Sequence, residues 1–168
     1  IGQTDEELCK EGIEQLEAMK KDYDYPYPDV VFTSSLKRCK QTASILYPDK
    51  NSIEMRGFDE CDFGEFEGHT ADELKPYEEF SQWLAGGEDA KPLNGESNGE
   101  FATRVCDCFI KTVDGMIKTG TQNAVIVTHG GVIMAILAAF GIPELPMHEW
   151  LTPNGCGFTV KINPSLWM

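Results

Sequence analysis

The chain predicts an α/β fold, a three-layer α/β/α sandwich around a mostly parallel sheet. Three observations carry that expectation. Two short apolar runs, DVVFT at 29–33 and AVIVT at 124–128, read as buried strands. Each runs directly into a turn of polar or small residues and then into an apolar-striped helical segment. A long amphipathic helix lies between the two units, so strands alternate with helices, which is the pattern of a parallel sheet covered on both faces.

The elements follow in order. Residues 8–21 carry Leu8, Ile13, Leu16 and Met19 as an approximate helical stripe, stopped by the two prolines of 23–28. After the first strand, Ser34 and Ser35 act as turn formers and 36–47 reads as a helix ending before Pro48. Residues 53–55 form a weaker strand candidate leading into an acidic, Phe- and Gly-studded loop at 57–68. A helix in two pieces, interrupted by Pro76, is expected over 70–84, and a Gly-, Pro- and Asn-rich loop over 85–99. Phe101, Val105, Cys108, Phe109, Val113, Met116 and Ile117 trace one face of a helix over 100–118 that Gly120 ends. The 124–128 strand, apolar throughout, leads through His129-Gly130-Gly131 into a helix reaching Phe140, and 157–162 is read as a final edge strand.

At 168 residues the chain fits one domain with a core large enough to need no staples. Fourteen basic residues against 28 acidic ones give a net charge of −14, which argues against a nucleic-acid surface. The same field repels phosphate esters at long range, so any phosphate site must be a local cluster of donors. No apolar run approaches the roughly 18 residues of a membrane span. The six cysteines form no CxxC pair and have no zinc spacing with histidine, so no metal is expected and reduced thiols in a cytoplasmic protein are.

Three segments hold chemistry. In VTHGG (127–131) a histidine ends a strand and two glycines open a helix, where free N–H groups and the helix dipole favour an anion. A hydrogen-bonded structural histidine in a tight turn explains the same residues. In TSSLKRCKQT (33–42) Arg38 lies about one turn into a helix, and a guanidinium suits a bidentate grip on phosphate oxygens; a solvated Arg near a Ser cap is the plain alternative. In DECDFGEFEG (59–68) one carboxyl held near phosphate could donate a proton, and the residues alone do not choose among Asp59, Glu60 and Asp62.

Taken in order, SSLKRCKQTA, DECDFGEFEG, NGES and VTHGGVIMAIL resemble the successive signature blocks of the histidine phosphatase superfamily, also called phosphoglycerate mutase-like. GQTDEELCKEG at 2–12 is similar to the segment following that family's first catalytic block, so the resemblance covers nearly the whole chain. It implies a phosphoglycerate mutase-like sandwich in a single domain over 1–168. Arg38 is then a phosphate-binding arginine, Glu60 the proton donor, and His129 a phosphate ligand with the Gly130 N–H beside it. Gly2 falls where the family lines the substrate entrance. The family's Arg-His-Gly block, with its nucleophilic histidine, has no counterpart here. His69 and His148 sit in polar contexts that do not substitute. The chain opens at Ile1 on what resembles the residues just after that block, so the first central strand is expected to be missing from it.

The resemblance further implies phosphomonoester hydrolysis through a phosphohistidine, without cofactor or metal, on a small phosphorylated metabolite. Glu60 is followed by Cys61-Asp62-Phe63 where mutases continue Arg-His-Tyr, 83–97 is compact, and Ile1 stands where mutases present a hydroxyl. These features resemble the small bacterial phosphatases, α-ribazole phosphatases among them. A homodimer is left open; nucleic acid and membrane are not expected partners. Two other classes stay in view: a family member acting only as a binding module, and a flavodoxin-like nucleotide-binding protein, which would leave Arg38, Glu60 and His129 apart.

Overall fold

Strand β1 (Val30–Thr33) lies at the centre of a three-stranded sheet, with β2 (Ser52–Glu54) on one side and β3 (Ala124–Val127) on the other, both parallel to it. The computed structural model from which this is drawn describes residues 1–87 and 89–167; Glu88, within the expected 85–99 loop, and Met168 lie outside them. Register pairs Val31 with Val125 and Phe32 with Ile126, so alternate side chains leave the sheet on opposite faces.

Each face has its own core. Phe32, Phe58 and Ile126 pack with Phe101, Val105, Phe109, Val113, Val132 and Ile136, the apolar stripes of α5 (Asn98–Thr119) and α6 (Gly130–Phe140). On the other face Val31, Val125 and Val127 meet Ala43, Leu46 and Tyr47 around α2 (Lys37–Leu46), against which α1 (Lys10–Asp22) packs. Helix, sheet and helix layers follow directly from period-2 strands between period-3.6 stripes.

Local chemistry sets the boundaries. The amide of Leu8 is held by Gln41 Oε1 at 2.7 Å, so α1 starts two residues later than its apolar stripe, with Cys9 as cap. Pro76 splits the next segment into α3 (Ala71–Leu74) and α4 (Glu78–Leu84), as its missing N–H requires. Ser97 and Glu100 close a reciprocal capping box at the start of α5, and Gly120, at φ 71°, takes the left-handed turn that ends it.

Two expectations are corrected. Residues 157–162 pair with no strand among the described residues, and Phe158 and Val160 stay about half exposed (46% and 51%). An apolar alternation becomes a strand only when another strand's N–H and C=O groups lie alongside it, and none does. β3 has helices on both faces as expected, but it is the sheet's edge, and all four of its residues are half-buried rather than sealed.

Candidate active site

The C-terminal ends of β1 and β3 lie side by side, and the backbone N–H of Ser34 donates to Val127 O at 3.2 Å, tying their two turns together. Ligand sites of open parallel sheets form at such strand ends. The turn after β1 presents Ser34, Ser35, Arg38 and Cys39, while the turn after β3 presents His129 and the Gly130 and Gly131 amides at the start of α6.

His129 is buried at 8% exposure, with Nε2 2.8 Å from the Ser34 hydroxyl and 3.4 Å from the buried Cys39 thiol. Burial, aided by the positive charges of Arg38 and Arg104, depresses its pKa to about 3. The imidazole is therefore neutral at physiological pH, able to donate one hydrogen bond and accept another. Burial likewise pushes the Cys39 thiol up to about 11, which keeps it protonated and unreactive. Arg38, Asp59 and Glu60 all act electrostatically on that thiol, so the guanidinium, the two carboxylates and His129 share one neighbourhood.

A third segment, 55–62, crosses these turns. Thr128 Oγ1 donates to Phe58 O at 2.7 Å; the Asp59 carboxylate accepts from the Ser35 N–H (2.7 Å) and hydroxyl (2.6 Å). Glu60 sits at the N-terminus of α6, where its Oε2 accepts the Gly131 N–H at 3.1 Å and its Oε1 the Cys61 N–H at 3.0 Å. A negative group is favoured there by the unpaired amides and the dipole. A Cβ placed on Gly131 would come within 2.4 Å of Glu60 Oε1, whereas one on Gly130 would meet nothing within 4 Å. Space therefore remains beside the Gly130 amide.

The segment 2–4 forms the remaining side. Arg38 donates through NH2 to Gly2 O at 2.7 Å and through NH1 to Thr4 O at 2.9 Å. From below, the Glu67 carboxylate accepts the amides of Gly2 (3.1 Å), Gln3 (2.7 Å) and Phe63 (3.2 Å) and the Thr4 hydroxyl (2.6 Å). Burial works against the Glu67 carboxylate, but these four donors outweigh it and hold its pKa below the ordinary range. Gly2 is buried, and a Cβ on it would lie 2.2 Å from Cys61 O, so only glycine fits.

Arg38, Glu60, His129, Gly130 and Gly2 thus lie around one end of the sheet, and a nucleotide-binding reading that separates them does not hold. His69 and His148, by contrast, are exposed surface residues paired with Glu73 and Glu149. Asp59, one of the three acids weighed as proton donor, accepts from Ser35; Ser34, Ser35, Glu67, Glu96 and Arg104 carry site contacts that their sequence context did not announce. Ser34 and Ser35 shape the turn, and each also bonds a residue far along the chain. Asp59 and Glu67 stand among other carboxylates, where solvated side chains are the rule, and nothing local sets Glu96 or Arg104 apart.

The chain is similar to known proteins along most of its length. Over 161 residues the chain is 29% identical to the adenosylcobalamin/alpha-ribazole phosphatase of Escherichia coli K12, covering 93% of this chain and 78% of that one. It is 26% identical over 175 residues to a 2,3-bisphosphoglycerate-dependent phosphoglycerate mutase of Methylobacterium radiotolerans, covering 96% and 81% of the two chains. The crystal structure of the alpha-ribazole phosphatase from Shigella flexneri superposes with a TM-score of 0.79 at 28% identity, covering 92% of this chain and 78% of that one. With a neutral buried histidine, an arginine and a carboxylate gathered at one sheet end, and a family match over residues 1–167, the chain belongs to the histidine phosphatase superfamily (branch 1).

Proposed function

We propose that this site hydrolyses phosphomonoesters through a phosphohistidine intermediate, acting on a small phosphorylated metabolite such as α-ribazole phosphate or a sugar phosphate. The observation that carries the proposal is the joint placement of Arg38, neutral His129 and Glu60 at the N-terminus of α6. Arg38, fixed by two backbone carbonyls, keeps its remaining N–H donors for phosphoryl oxygens, and the Gly130 amide adds a backbone donor beside open space. His129, uncharged, donates one hydrogen bond to the phosphoryl group; the charge is supplied by the guanidinium and the helix end.

Glu60, taking up a proton from solvent as the phosphate dianion binds beside it, passes that proton to the leaving oxygen and is reprotonated by the water that hydrolyses the phosphoenzyme. The 168 residues contain no Arg-His-Gly block, and the nucleophile in this proposal is the histidine of such a block in the full gene product. Reading the codons ahead of Ile1 tests that part, and trapping a phosphohistidine on the full product distinguishes an enzyme from a binding module.

Hydrolysis is favoured over mutase transfer by the acid block, in which Cys61-Asp62-Phe63 follows Glu60, and by the likeness to an alpha-ribazole phosphatase. The decisive experiment is Glu60→Gln in the full gene product. Loss of an acid should cut turnover of phenyl phosphate by about a hundredfold and spare 2,4-dinitrophenyl phosphate, whose leaving group needs no proton. Equal losses on both esters would remove Glu60 from the acid role.

A further inference from the structure

Arg104 of α5 donates to the Glu60 carbonyl and, beyond the charge it adds near His129, takes no part in the chemistry described so far. Its guanidinium is bidentate with Glu96, Nε to Oε2 at 2.8 Å and NH2 to Oε1 at 2.7 Å. The same guanidinium also donates to a run of backbone carbonyls: Gly57 O at 3.1 Å, Asp59 O at 3.0 Å and Glu60 O at 3.3 Å. Glu96 completes the frame, its Oε1 accepting the Asp62 amide at 2.9 Å while its own amide donates to Asp62 O at 2.9 Å. Segment 57–62 is thus gripped on both sides of Glu60 by one ion pair.

We infer that the Arg104–Glu96 pair is the positioning device for Glu60, a role that rests on the reading of Glu60 as the acid. The geometry explains why a salt bridge rather than an apolar contact stands here. Residues 57–62 form neither helix nor strand over most of their length, so their carbonyls need side-chain donors. A planar guanidinium supplies several donors in a rigid fork, and Lys, with one mobile ammonium, cannot reach three carbonyls and a carboxylate together. Both partners are largely buried, at 26% and 18% side-chain exposure, so the pair resists solvent screening. Burial opposes the Arg104 charge, but the hydrogen bond and charge of Glu96 overcome it and raise the pKa further. Arg104 therefore keeps its charge.

Among the described residues the far end of Glu60 is held by the Gly131 and Cys61 amides. With its backbone free to shift by about an ångström, the carboxyl would lose its line to the leaving oxygen. Phosphate gripping, which belongs to Arg38, His129 and Gly130, would not change. Leaving-group dependence separates these two effects.

The test compares Arg104→Met, Arg104→Lys, Glu96→Gln and Glu60→Gln in the full gene product, with phenyl phosphate, 2,4-dinitrophenyl phosphate and inhibition by inorganic phosphate as readouts. Arg104→Met should lower kcat on phenyl phosphate about tenfold or more, change the dinitrophenyl ester less than about threefold, and leave phosphate inhibition unchanged. Arg104→Lys should fall between wild type and Met. Should Arg104→Met fail to fold, Glu96→Gln, which keeps the carbonyl contacts and weakens the ion pair, carries the same expected split. Equal losses on both esters in the Arg104 and Glu96 variants, beside a clear split in Glu60→Gln, overturn the positioning role. No split in Glu60→Gln instead removes the acid reading beneath it.

Discussion

The carboxylate of Glu60 and the amide of Gly131, 71 residues apart in sequence, are joined by a 3.1 Å hydrogen bond that leaves no room for a Cβ on Gly131. Gly131→Ala should therefore push the Glu60 carboxylate aside. The obstructing atom is the end of a flexible side chain, so stability should hold or rise slightly, since Ala is the better helix former by up to about 1 kcal/mol. Turnover of phenyl phosphate should fall while that of 2,4-dinitrophenyl phosphate, which needs no acid, stays within about twofold of wild type. Melting curves run beside both assays would separate displacement from unfolding.

His129 makes stability depend on pH with a definite sign. Its folded pKa of about 3 lies below the ordinary 6.5, so between these values the unfolded chain binds a proton that the folded chain refuses. The histidine's contribution is fully present above about pH 6.5 and is lost as pH falls toward 3, at up to about 1.4 kcal/mol per pH unit. Urea unfolding from pH 7 to pH 5, where most carboxylates remain ionised, should show a slope that His129→Gln flattens. An unchanged slope would mean that the buried imidazole takes up its proton without cost.

Glu67 anchors the strip of backbone against which Arg38 is oriented. Glu67→Gln replaces a carboxylate facing four donors with an amide that turns one donor toward them. Residues 2–4 should loosen, and Arg38 should lose its two carbonyl partners. Calorimetric titration with inorganic phosphate should show affinity reduced by about three- to tenfold, with added proteolytic sensitivity near the N-terminus. Affinity equal to wild type would show that Arg38 does not depend on this strip.

The Ser97 cap offers a stability change at a residue that hydrogen-bonds to neither Arg104 nor Glu60. Its hydroxyl accepts the Glu100 amide at 3.1 Å, and the Glu100 carboxylate returns to the Ser97 amide at 3.2 Å. Ser97→Ala should cost about 1 kcal/mol, a few degrees in melting temperature for a chain of this size. The split between the two phosphate esters should be unaffected, because Arg104 lies further along α5 and stays fixed by Glu96.

Much of this molecule is readable along the chain. The apolar runs of 29–33 and 124–128 and the helical stripes around Val105 and Val132 are local patterns, and the sheet and its two covering layers follow from them. Arg38 and His129 stood out as candidates because each lies where a strand gives way to a helix, although a structural role fitted the local pattern of each as well. Glu60 was different: three acids stood together, and only the likeness of whole blocks to a known family singled it out.

Local patterning by itself determined which segments become strands and helices and where turns place donors, since these depend on neighbours within a few residues. Only the tertiary structure decided that 157–162 goes unpaired, that Ser34 rather than solvent faces His129, and that Arg104 spends its donors on the carbonyls around Glu60. Those choices join residues 44 to 95 positions apart. A buried polar group must find a partner, and which partner is within reach is settled by how the layers pack, not by the residues beside it.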